Sequence, residues 1–282
     1  MMVSDYAYQI PQAVDGTILQ TIVEAKLHEI AGARLKWPAA AIEAVLDRAP
    51  EVRSLKQALL RDQPAIIAEL KKASPSAGVL RTDFKPIRIG QELQKAGAAA
   101  LSVITEVRHF QGGLENLASV RWRTQIPLLR KDFIIDPYQI LEARHAGADA
   151  VLLIAALFDT STLEEMRAGV ERLGMEALVE VHNEAELDRA FEAGATLIGV
   201  NNRDLRTFEV TIETGLGLAA RLPAGIVAVA ESGLRGSEDI QRLWDAGYRG
   251  FLVGEQLMRA ASPGEALRAL LGDRSFNQRS RG

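Results

Sequence analysis

Eight short apolar segments recur along this chain of 282 residues, and stretches with helical spacing separate them. Most of the eight lack an alternation of polar and apolar residues, which is typical of parallel strands covered on both faces. They are Ala65–Leu70, Ala99–Ile104, Ile126–Arg130, Asp149–Ile154, Glu176–Val181, Thr196–Val200, Ile226–Ala230 and Gly250–Val253. Strands that alternate with helices indicate βαβ units and a parallel sheet.

A phrase with an Ala-Gly core precedes the second, fourth, sixth and eighth predicted strands. Its glycines are Gly97, Gly147, Gly194 and Gly247. They recur about every 50 residues, the length of two βα units, so the chain consists of four similar quarters. We predict that each glycine ends a helix in the left-handed conformation. Ala-Gly helix ends also occur in open doubly wound sheets, but eight units with a fourfold repeat favour a closed α/β fold, the (β/α)8 TIM barrel.

The length of the chain allows two ordinary domains or one barrel with additions, and the repeat favours the barrel. We assign residues 65–272 to the barrel. Residues 1–64 are predicted to be an N-terminal helical extension packed on it, because so short a segment lacks a core of its own. Within the extension, Thr17–Ala31 is a predicted amphipathic helix that ends at Gly32. The polar tail, residues 273–282, is predicted to be frayed.

The amino-acid composition indicates the cellular compartment of the protein and argues against some classes of partner. The chain has no cysteine, which excludes disulfides, thiolate nucleophiles and cysteine-ligated metals and indicates a reducing compartment. A formal net charge of −4 argues against nucleic acid or an anionic membrane as a partner. The first residues lack the features of a secretion signal, and the longest apolar run, Ala150–Phe158, is far shorter than the roughly 20 residues of a membrane helix. We therefore expect a cytoplasmic protein.

Charged and amide side chains cluster where the predicted strands end. In α/β barrels catalytic groups lie at the carboxyl ends of the strands, whereas the amino ends serve stability. The residues at these ends are Glu69, Lys71, Lys131, Glu180, Asn201, Arg203, Glu231 and Ser232. Glu69 and Lys71 share one strand face, and alone they are compatible with a structural ion pair. Together with Lys131 and Glu180 at the same end of the barrel, they favour an active site.

The loops after the last two predicted strands favour phosphate binding, because this is the usual phosphate site of the architecture. They read ESGLRG and VGEQLM. Gly233 and Gly254 would let backbone N–H groups approach an anion, and a short helix that begins at Glu255 would add its positive end. Lys71 would contact the same anion from across the barrel. Turns also need glycine, so neither glycine is decisive alone.

No pattern in the sequence indicates a metal ion or a nucleotide cofactor. The four histidines are scattered along the chain. Glu180 and His182 share a strand face but lack the third ligand that a metal site requires. Neither a G-x-G-x-x-G nor a Walker motif occurs. We therefore expect chemistry without a metal ion or a nucleotide cofactor.

Several segments together resemble the indole-3-glycerol-phosphate synthase family. The two most specific are IIAELKKASPSAG at the first predicted strand and PLLRKDFIIDPYQI at the third. The others are SVITEVRHFQGG, ADAVLLIAALF, ALVEVHNEAEL, IGVNNRDLRTFEV, AVAESGL and GFLVGEQLMR. The resemblance extends over roughly Ile18 to Ala269 and implies a (β/α)8 barrel with an N-terminal helical extension.

The resemblance implies the conversion of 1-(2-carboxyphenylamino)-1-deoxyribulose 5-phosphate to indole-3-glycerol phosphate, with loss of carbon dioxide and water and without a cofactor. It implies that Lys131 is the general acid and that Glu180 is its acid/base partner. The other catalytic residues that it implies are Lys71, Glu69, Asn201 and Ser232. The substrate contacts that it implies are Ser74, Phe110, Phe133, Arg203 and Glu231, and the phosphate contacts are Lys71, Gly233, Gly254 and Glu255.

Two positions depart from the family pattern. Ala77 stands where lysine is common, and Gly113 stands where serine is common. Gly113 lies in the polar, glycine-rich stretch Thr105–Asn116, which is interpreted either as a mobile lid or as an ordinary loop. Both departures lie outside the predicted strands, so they bear on loop dynamics and affinity more than on the reaction.

Two alternative functions remain open at this point. A Schiff-base aldolase or another sugar-phosphate lyase would use the same lysines on the same barrel. A catalytically idle barrel would serve as a binding or scaffold subunit, although this chain retains both the acid and the base. For the enzyme we expect a phosphorylated small-molecule substrate and a monomer or weak homo-oligomer, with other tryptophan-pathway enzymes as candidate partners.

Overall fold

The computed structural model describes residues 8–204, 207 and 209–272. The barrel strands are β1 (Ala65–Leu70), β4 (Ala100–Ile104), β5 (Leu128–Lys131), β6 (Ala150–Ile154), β7 (Glu176–Val181), β8 (Leu197–Asn201), β9 (Val227–Glu231) and β10 (Gly250–Val253). They pair in parallel and close in the order β1-β10-β9-β8-β7-β6-β5-β4. A small antiparallel hairpin, β2 (Ala73–Ser74) and β3 (Gly78–Val79), follows β1. The predicted (β/α)8 barrel is confirmed.

Helices precede the barrel and cover its outside. Those before β1 are α1 (Ile18–Lys36), α2 (Ala39–Glu43) and α3 (Leu55–Leu59). Those around the barrel are α4 (Pro86–Lys95), α5 (Leu114–Arg121), α6 (Pro137–Ala146), α7 (Thr160–Arg172), α8 (Glu184–Glu192), α9 (Glu213–Ala219), α10 (Ser237–Asp245), α11 (Glu255–Arg259) and α12 (Pro263–Leu271). Within the described ranges, none of these helices has the length and apolar character needed to span a bilayer.

Three strands extend one residue further than predicted, and each added residue carries a polar side chain. β5 includes Lys131, β8 includes Asn201 and β9 includes Glu231. Pairing with the neighbouring strands explains the extension, since Asn201 is aligned with Glu231 and Glu231 with Leu252. The backbone of these polar residues is therefore held by the ladder of the barrel and not by a loop.

The four glycines of the repeated phrase all adopt the left-handed conformation. Their φ angles are +104° at Gly97, +86° at Gly147, +75° at Gly194 and +109° at Gly247. Each lies directly after a helix and shortly before an even-numbered member of the eight predicted strands. The predicted helix ends are confirmed, and the repeated phrase marks the boundary between successive βα units.

The helix before the barrel is longer than predicted. α1 does not end at Gly32 but continues to Lys36, because a glycine inside a helix costs only about 1 kcal/mol. The helix ends at Trp37, whose extended conformation is the one favoured before Pro38. The side chains that α1 buries are Leu19, Ile22, Val23, Lys26 and Ile30.

A buried charge network joins α1 to the end of β5. The ammonium group of Lys26 lies 3.0 Å from Asp132 Oδ1 and 2.8 Å from Glu29 Oε2. The other carboxylate oxygen of Asp132 accepts hydrogen bonds from Thr105 Oγ1 at 2.6 Å and from Arg130 at 3.2 Å. Since Asp132 follows the last residue of β5, α1 is tied to the carboxyl end of the barrel.

The start of α3 and the two residues before it contact the opposite end of the barrel. Arg53 N donates to Asp149 Oδ1 at 2.7 Å. Ser54 Oγ and Lys56 N donate to the two oxygens of Glu176 at 2.7 and 2.8 Å. The N-terminal extension therefore contacts both ends of the barrel. Its boundary at residue 64 stays a prediction, and the tail predicted to be frayed, residues 273–282, lies outside the described residues.

Candidate active site

A cavity of about 290 Å³ lies at the carboxyl ends of the barrel strands. Every residue that sequence reasoning assigned to the site lines it. These are Glu69, Lys71, Ser74, Phe110, Lys131, Phe133, Glu180, Asn201, Arg203, Glu231, Ser232, Gly233, Gly254 and Glu255. The structure thus brings the predicted set together around one space, while the role of each residue stays a prediction.

Lys131 lies between two carboxyl groups from other strands. Its ammonium nitrogen is 2.7 Å from Glu231 Oε2 and 3.3 Å from Glu180 Oε2. Burial alone would lower the pKa of Lys131, but the carboxyl groups of Glu231, Glu180 and Glu69 outweigh it and raise that pKa. Lys131 is therefore a cation at neutral pH, and its ammonium group donates to the two carboxyl groups that line the cavity.

The two carboxyl groups beside Lys131 differ in their affinity for protons. Burial raises the pKa of Glu231 to about 7 against the opposing charge of Lys131, and the nearby Glu180 adds to the rise. Burial acts on Glu180 in the same direction, but Lys131 and His182 outweigh it and hold the pKa of Glu180 well below its usual range. Such a division assigns the proton to Glu231 and the negative charge to Glu180.

Two glycines make room for the buried carboxyl groups. Lys71 Nζ and Glu69 Oε2 form an ion pair of 2.8 Å at the end of β1. A Cβ atom at Gly254 would overlap the Glu69 carboxylate, and one at Gly199 would overlap Glu231 Oε1. Gly254 was predicted as a phosphate contact, and its second role as space for Glu69 was missed. The sequence signal for Gly199 is its place in the middle of a strand, where glycine often marks a close approach.

Apolar side chains form the other part of the cavity wall. Phe110 and Phe133 face each other with ring centroids 6.4 Å apart and an interplanar angle of 41°. Ile18, Leu19 and Ile22 of α1 also line the cavity. The extension is therefore a wall of the site as well as a cover for the barrel. The spacing of apolar residues in α1 predicted that one face of the helix packs on the barrel, but not that this face lines the cavity.

The loop after β4 is organised by a carboxylate that sequence reasoning missed. The Glu106 side chain accepts hydrogen bonds from the backbone N–H groups of Arg108, His109 and Phe110 at 3.0, 2.7 and 2.9 Å. Ala73 N donates to the carbonyl of Phe110 at 3.2 Å. These bonds fix Phe110 at the cavity. Whether the loop is a mobile lid stays a prediction.

The turn after β9 has an unusual backbone. Ser232 has a φ of +63° and Gly233 a φ of +74°. The left-handed conformation costs an ordinary residue roughly 1–2 kcal/mol, and the turn is held by Asn202 Nδ2, which donates to Ser232 O at 3.1 Å. Such strain accumulates at functional sites. On the adjacent strand, Asn201 Oδ1 accepts a hydrogen bond from Arg203 N at 3.1 Å, which orients the Asn201 amide.

The described part of the chain contains no cluster of three metal-ligating side chains. His182, which sequence reasoning considered only as a metal ligand, instead contacts two carboxylates. Its Nε2 lies 3.2 Å from Glu180 Oε1 and its Nδ1 lies 2.9 Å from Glu186 Oε2.

Comparison with known proteins assigns the chain to a family. A family model described as indole-3-glycerol phosphate synthase matches residues 19–270. The chain belongs to the indole-3-glycerol phosphate synthase family. The proposed resemblance is therefore confirmed, and it covers both the barrel and α1. The family consists of enzymes, so the reading of the chain as an idle scaffold is not supported.

Individual relatives agree along most of the chain. An indole-3-glycerol phosphate synthase of Carboxydothermus hydrogenoformans is 51% identical over 263 residues, which are 90% of this chain and 99% of that protein. One from Koribacter versatilis is 55% identical over 208 residues, 74% of this chain and 80% of that protein. Family membership and these identities carry the indole-3-glycerol phosphate synthase assignment.

Solved structures with low sequence identity share the barrel. A thiamine phosphate pyrophosphorylase from Pyrococcus furiosus has a TM-score of 0.57 at 16% identity and covers 77% of this chain and 96% of its own. An orotidine 5'-phosphate decarboxylase from Pyrococcus horikoshii has a TM-score of 0.55 at 17% identity and covers 73% of this chain and 97% of its own. At such identities the likeness concerns the fold alone.

Proposed function

We propose that this chain catalyses the indole-3-glycerol phosphate synthase reaction of tryptophan biosynthesis. In that reaction 1-(2-carboxyphenylamino)-1-deoxyribulose 5-phosphate closes a ring and loses carbon dioxide and water. The observation that carries the proposal is Lys131 held between Glu180 and Glu231 at the end of a family barrel. The enzyme would be a carboxy-lyase that needs no cofactor, because ring closure, loss of carbon dioxide and loss of water require proton transfers but no external oxidant or reductant.

Lys131 is the proposed general acid of ring closure. The aryl carbon that bears the carboxylate attacks the ribulose carbonyl, and the carbonyl oxygen takes a proton from Lys131 Nζ. The bond to the carboxylate then breaks, carbon dioxide leaves, and its electron pair restores the aromatic ring. An acid held next to the developing oxyanion lowers the barrier by stabilising that charge.

Glu180 is the proposed acid/base of the later dehydration. The ring closure leaves a hydroxyl group, which departs as water when it is protonated and a proton leaves the neighbouring ring atoms. Glu180 is ionised in the resting site, since the charges of Lys131 and His182 depress its pKa, so it is ready to accept that proton. Catalysis of this kind also requires a bent substrate, which fixed contacts on both sides of the cavity favour.

The other cavity residues are proposed to contact different parts of the substrate, according to the chemistry of their side chains. Lys71 and the backbone N–H groups at Gly233, Gly254 and Glu255 would hold the phosphate. The side chains that would orient the substrate's carboxylate and hydroxyl groups are Ser74, Glu69, Asn201, Arg203, Glu231 and Ser232. Phe110 and Phe133 would pack on the aromatic ring, with Ile22 of α1 on the apolar side of the cavity.

We also propose that the enzyme acts in the cytoplasm, as a monomer or a weak homo-oligomer and without nucleic acid. The absence of cysteine supports the cytoplasmic location, and the net charge of −4 supports the lack of a nucleic-acid partner. Other enzymes of tryptophan biosynthesis are the candidate partners, because they make and consume its substrate and product.

The proposed function is tested with purified protein and the carboxyphenylamino-deoxyribulose phosphate. We expect indole fluorescence to increase with release of one carbon dioxide per product, without any added metal or cofactor. Absence of product would contradict the proposal. Borohydride trapping of substrate on Lys131 would instead favour a Schiff-base lyase, which needs a neutral amine. The raised pKa of Lys131, caused by carboxyl groups that outweigh its burial, opposes that route.

The titration of Glu231 predicts a pH dependence of KM. Because burial raises the pKa of Glu231 to about 7, the cavity gains a negative charge above that pH. An added negative charge repels an anionic substrate, so KM should increase several-fold as the pH rises from neutral to alkaline. Glu231→Gln has no proton to lose, and its KM should stay flat over the same range. Steady-state kinetics of both proteins provide the comparison, and parallel KM profiles would disprove a role for this titration.

A further inference from the structure

A line of four side chains leads from the cavity to the surface end of α8. Lys131 Nζ lies 3.3 Å from Glu180 Oε2, and the other oxygen of Glu180 lies 3.2 Å from His182 Nε2. His182 Nδ1 in turn lies 2.9 Å from Glu186 Oε2. Lys131 and Glu180 lie on β5 and β7, His182 directly follows β7, and Glu186 lies in the first turn of α8. Charges therefore alternate along the line.

Glu186 fixes the His182 ring by several bonds. One Glu186 oxygen accepts from both His182 N and His182 Nδ1, each at 2.9 Å. The other accepts from Asn183 Nδ2 at 2.8 Å, and Glu186 N donates to Asn183 Oδ1 at 3.0 Å. With Nδ1 occupied in this way, the ring presents Nε2 to Glu180. A ring held between two carboxylates carries a proton on each nitrogen.

The carboxylates of Glu180 and Glu186 are the main charges that act on the His182 ring. Burial alone would lower the pKa of His182, but these two carboxylates raise it to about 10. On the other side of Glu180, Lys131 of β5 contacts Glu180 at 3.3 Å and Glu231 of β9 at 2.7 Å. Glu180 is thus held between two cations, one on each side.

We propose that His182, held by Glu186, is a positioning residue that fixes the orientation and the negative charge of Glu180 for the dehydration step. The inference rests on the proposed function, because it concerns the state of Glu180 in that reaction. Lys131 must give up its proton during ring closure and then no longer supplies a positive charge. His182 keeps one cation beside Glu180 throughout, so Glu180 remains a carboxylate when it is needed as a base.

The inference is tested with His182→Gln and Glu186→Gln. His182→Gln keeps a hydrogen-bond donor but loses the charge, and Glu186→Gln weakens the hold on the ring. We expect each to lower kcat about tenfold, the low end of what loss of an orienting outer partner costs, with KM nearly unchanged. The acidic limb of the kcat profile should move up by about one pH unit, because a removed cation raises the pKa of a neighbouring carboxyl by that order.

Glu184→Gln is the matched control, since Glu184 lies in the same first turn of α8 but pairs with Arg221 at the surface. It should leave kcat and its pH profile at wild-type values. If His182→Gln lowers kcat equally at every pH, or leaves it unchanged, the positioning role is wrong. A loss of thermal stability without a shift of the acidic limb would also contradict it, because that is the result expected of a purely structural histidine.

A second readout needs no activity. In protein labelled with ¹⁵N-histidine, the His182 ring, identified by its loss in His182→Gln, should show two protonated nitrogens at pH 8. Glu186→Gln should make that signal titrate at lower pH. A neutral ring at pH 8 would overturn the inference even if the synthase activity is present. If the protein has no synthase activity but His182 shows the imidazolium signal, the result would contradict the proposed function. It would still show that the His182 ring is charged.

Discussion

Lys131→Met is expected to lower kcat by roughly 10³-fold, within the range of about 10² to 10⁴ that a positioned acid contributes. Methionine has nearly the length of lysine but carries no proton. The variant therefore keeps the shape of the cavity and loses the group that lies 2.7 Å from Glu231 Oε2 and 3.3 Å from Glu180 Oε2. Steady-state kinetics at saturating substrate measure the loss.

The matched variant for this experiment is Lys131→Arg, which keeps a positive charge. A guanidinium group hardly releases its proton, so we expect kcat to fall by a similar factor while KM changes little. If charge alone were required, Lys131→Arg would retain much of the activity. Turnover of Lys131→Met within tenfold of wild type would show that another group supplies the proton.

Lys26→Met is expected to lower the free energy of unfolding by about 3 kcal/mol, the low end of the cost of removing one partner of a buried ion pair. Lys26 and Asp132 are both almost fully buried and lie 3.0 Å apart. Burial raises the pKa of Asp132, but Lys26 and Arg130 outweigh it and lower that pKa. The change leaves Asp132 with hydrogen bonds from Thr105, Arg130 and the backbone N–H of Phe133. Urea unfolding at neutral pH measures the difference.

The sign of the pH dependence follows from the lowered pKa of Asp132, which results from Lys26 and Arg130 outweighing burial. A carboxylate of this kind stabilises the fold above its unfolded pKa, and that contribution is lost as the pH falls through its folded pKa. The cost of Lys26→Met should therefore be largest at neutral pH and shrink in acid. A cost that grows in acid would contradict the argument.

Two further variants separate the ion pair from general effects on α1. Lys36→Met removes an exposed lysine from the last turn of the same helix and should change the free energy of unfolding by less than about 0.5 kcal/mol. Lys26→Met combined with Asp132→Asn should cost less than the two single changes added together, because the two side chains are in contact. Strict additivity would mean that Lys26 acts independently of Asp132.

The barrel was predictable because it depends on local patterns that repeat. Apolar runs, helical spacing and Ala-Gly helix ends recur in each part of the chain. A wrong prediction for one βα unit therefore leaves the predictions for the other units unchanged. The ends of the strands were predicted to within a residue or two, which placed Lys131 and Glu180 at the same mouth. Gly32 misled the prediction of α1, because packing on the barrel outweighs the low helix propensity of one glycine.

The internal geometry of the site was not predictable in the same way. Lys131 and Glu231 are 100 residues apart in sequence and lie on strands that are not neighbours in the barrel. Their contact depends on barrel closure and on side-chain rotamers, which leave no periodic signal. Gly199 and Gly254 make room for the carboxyl groups of Glu231 and Glu69 on the neighbouring strands of the barrel, and the local sequence around each glycine does not show this contact. The same is true of α1 as a wall of the cavity.

The N-terminal extension, which contacts both ends of the barrel, has a consequence for synthesis on the ribosome. α1 and the start of α3 leave the ribosome before the barrel strands that they contact. Arg53 binds a carboxylate 96 residues further along the chain, and Lys56 binds one 120 residues further along. Long-range contacts of this kind form late in folding. The extension is therefore made before the barrel but is among the last parts to reach its final place, and the apolar side of α1 stays exposed until the barrel closes.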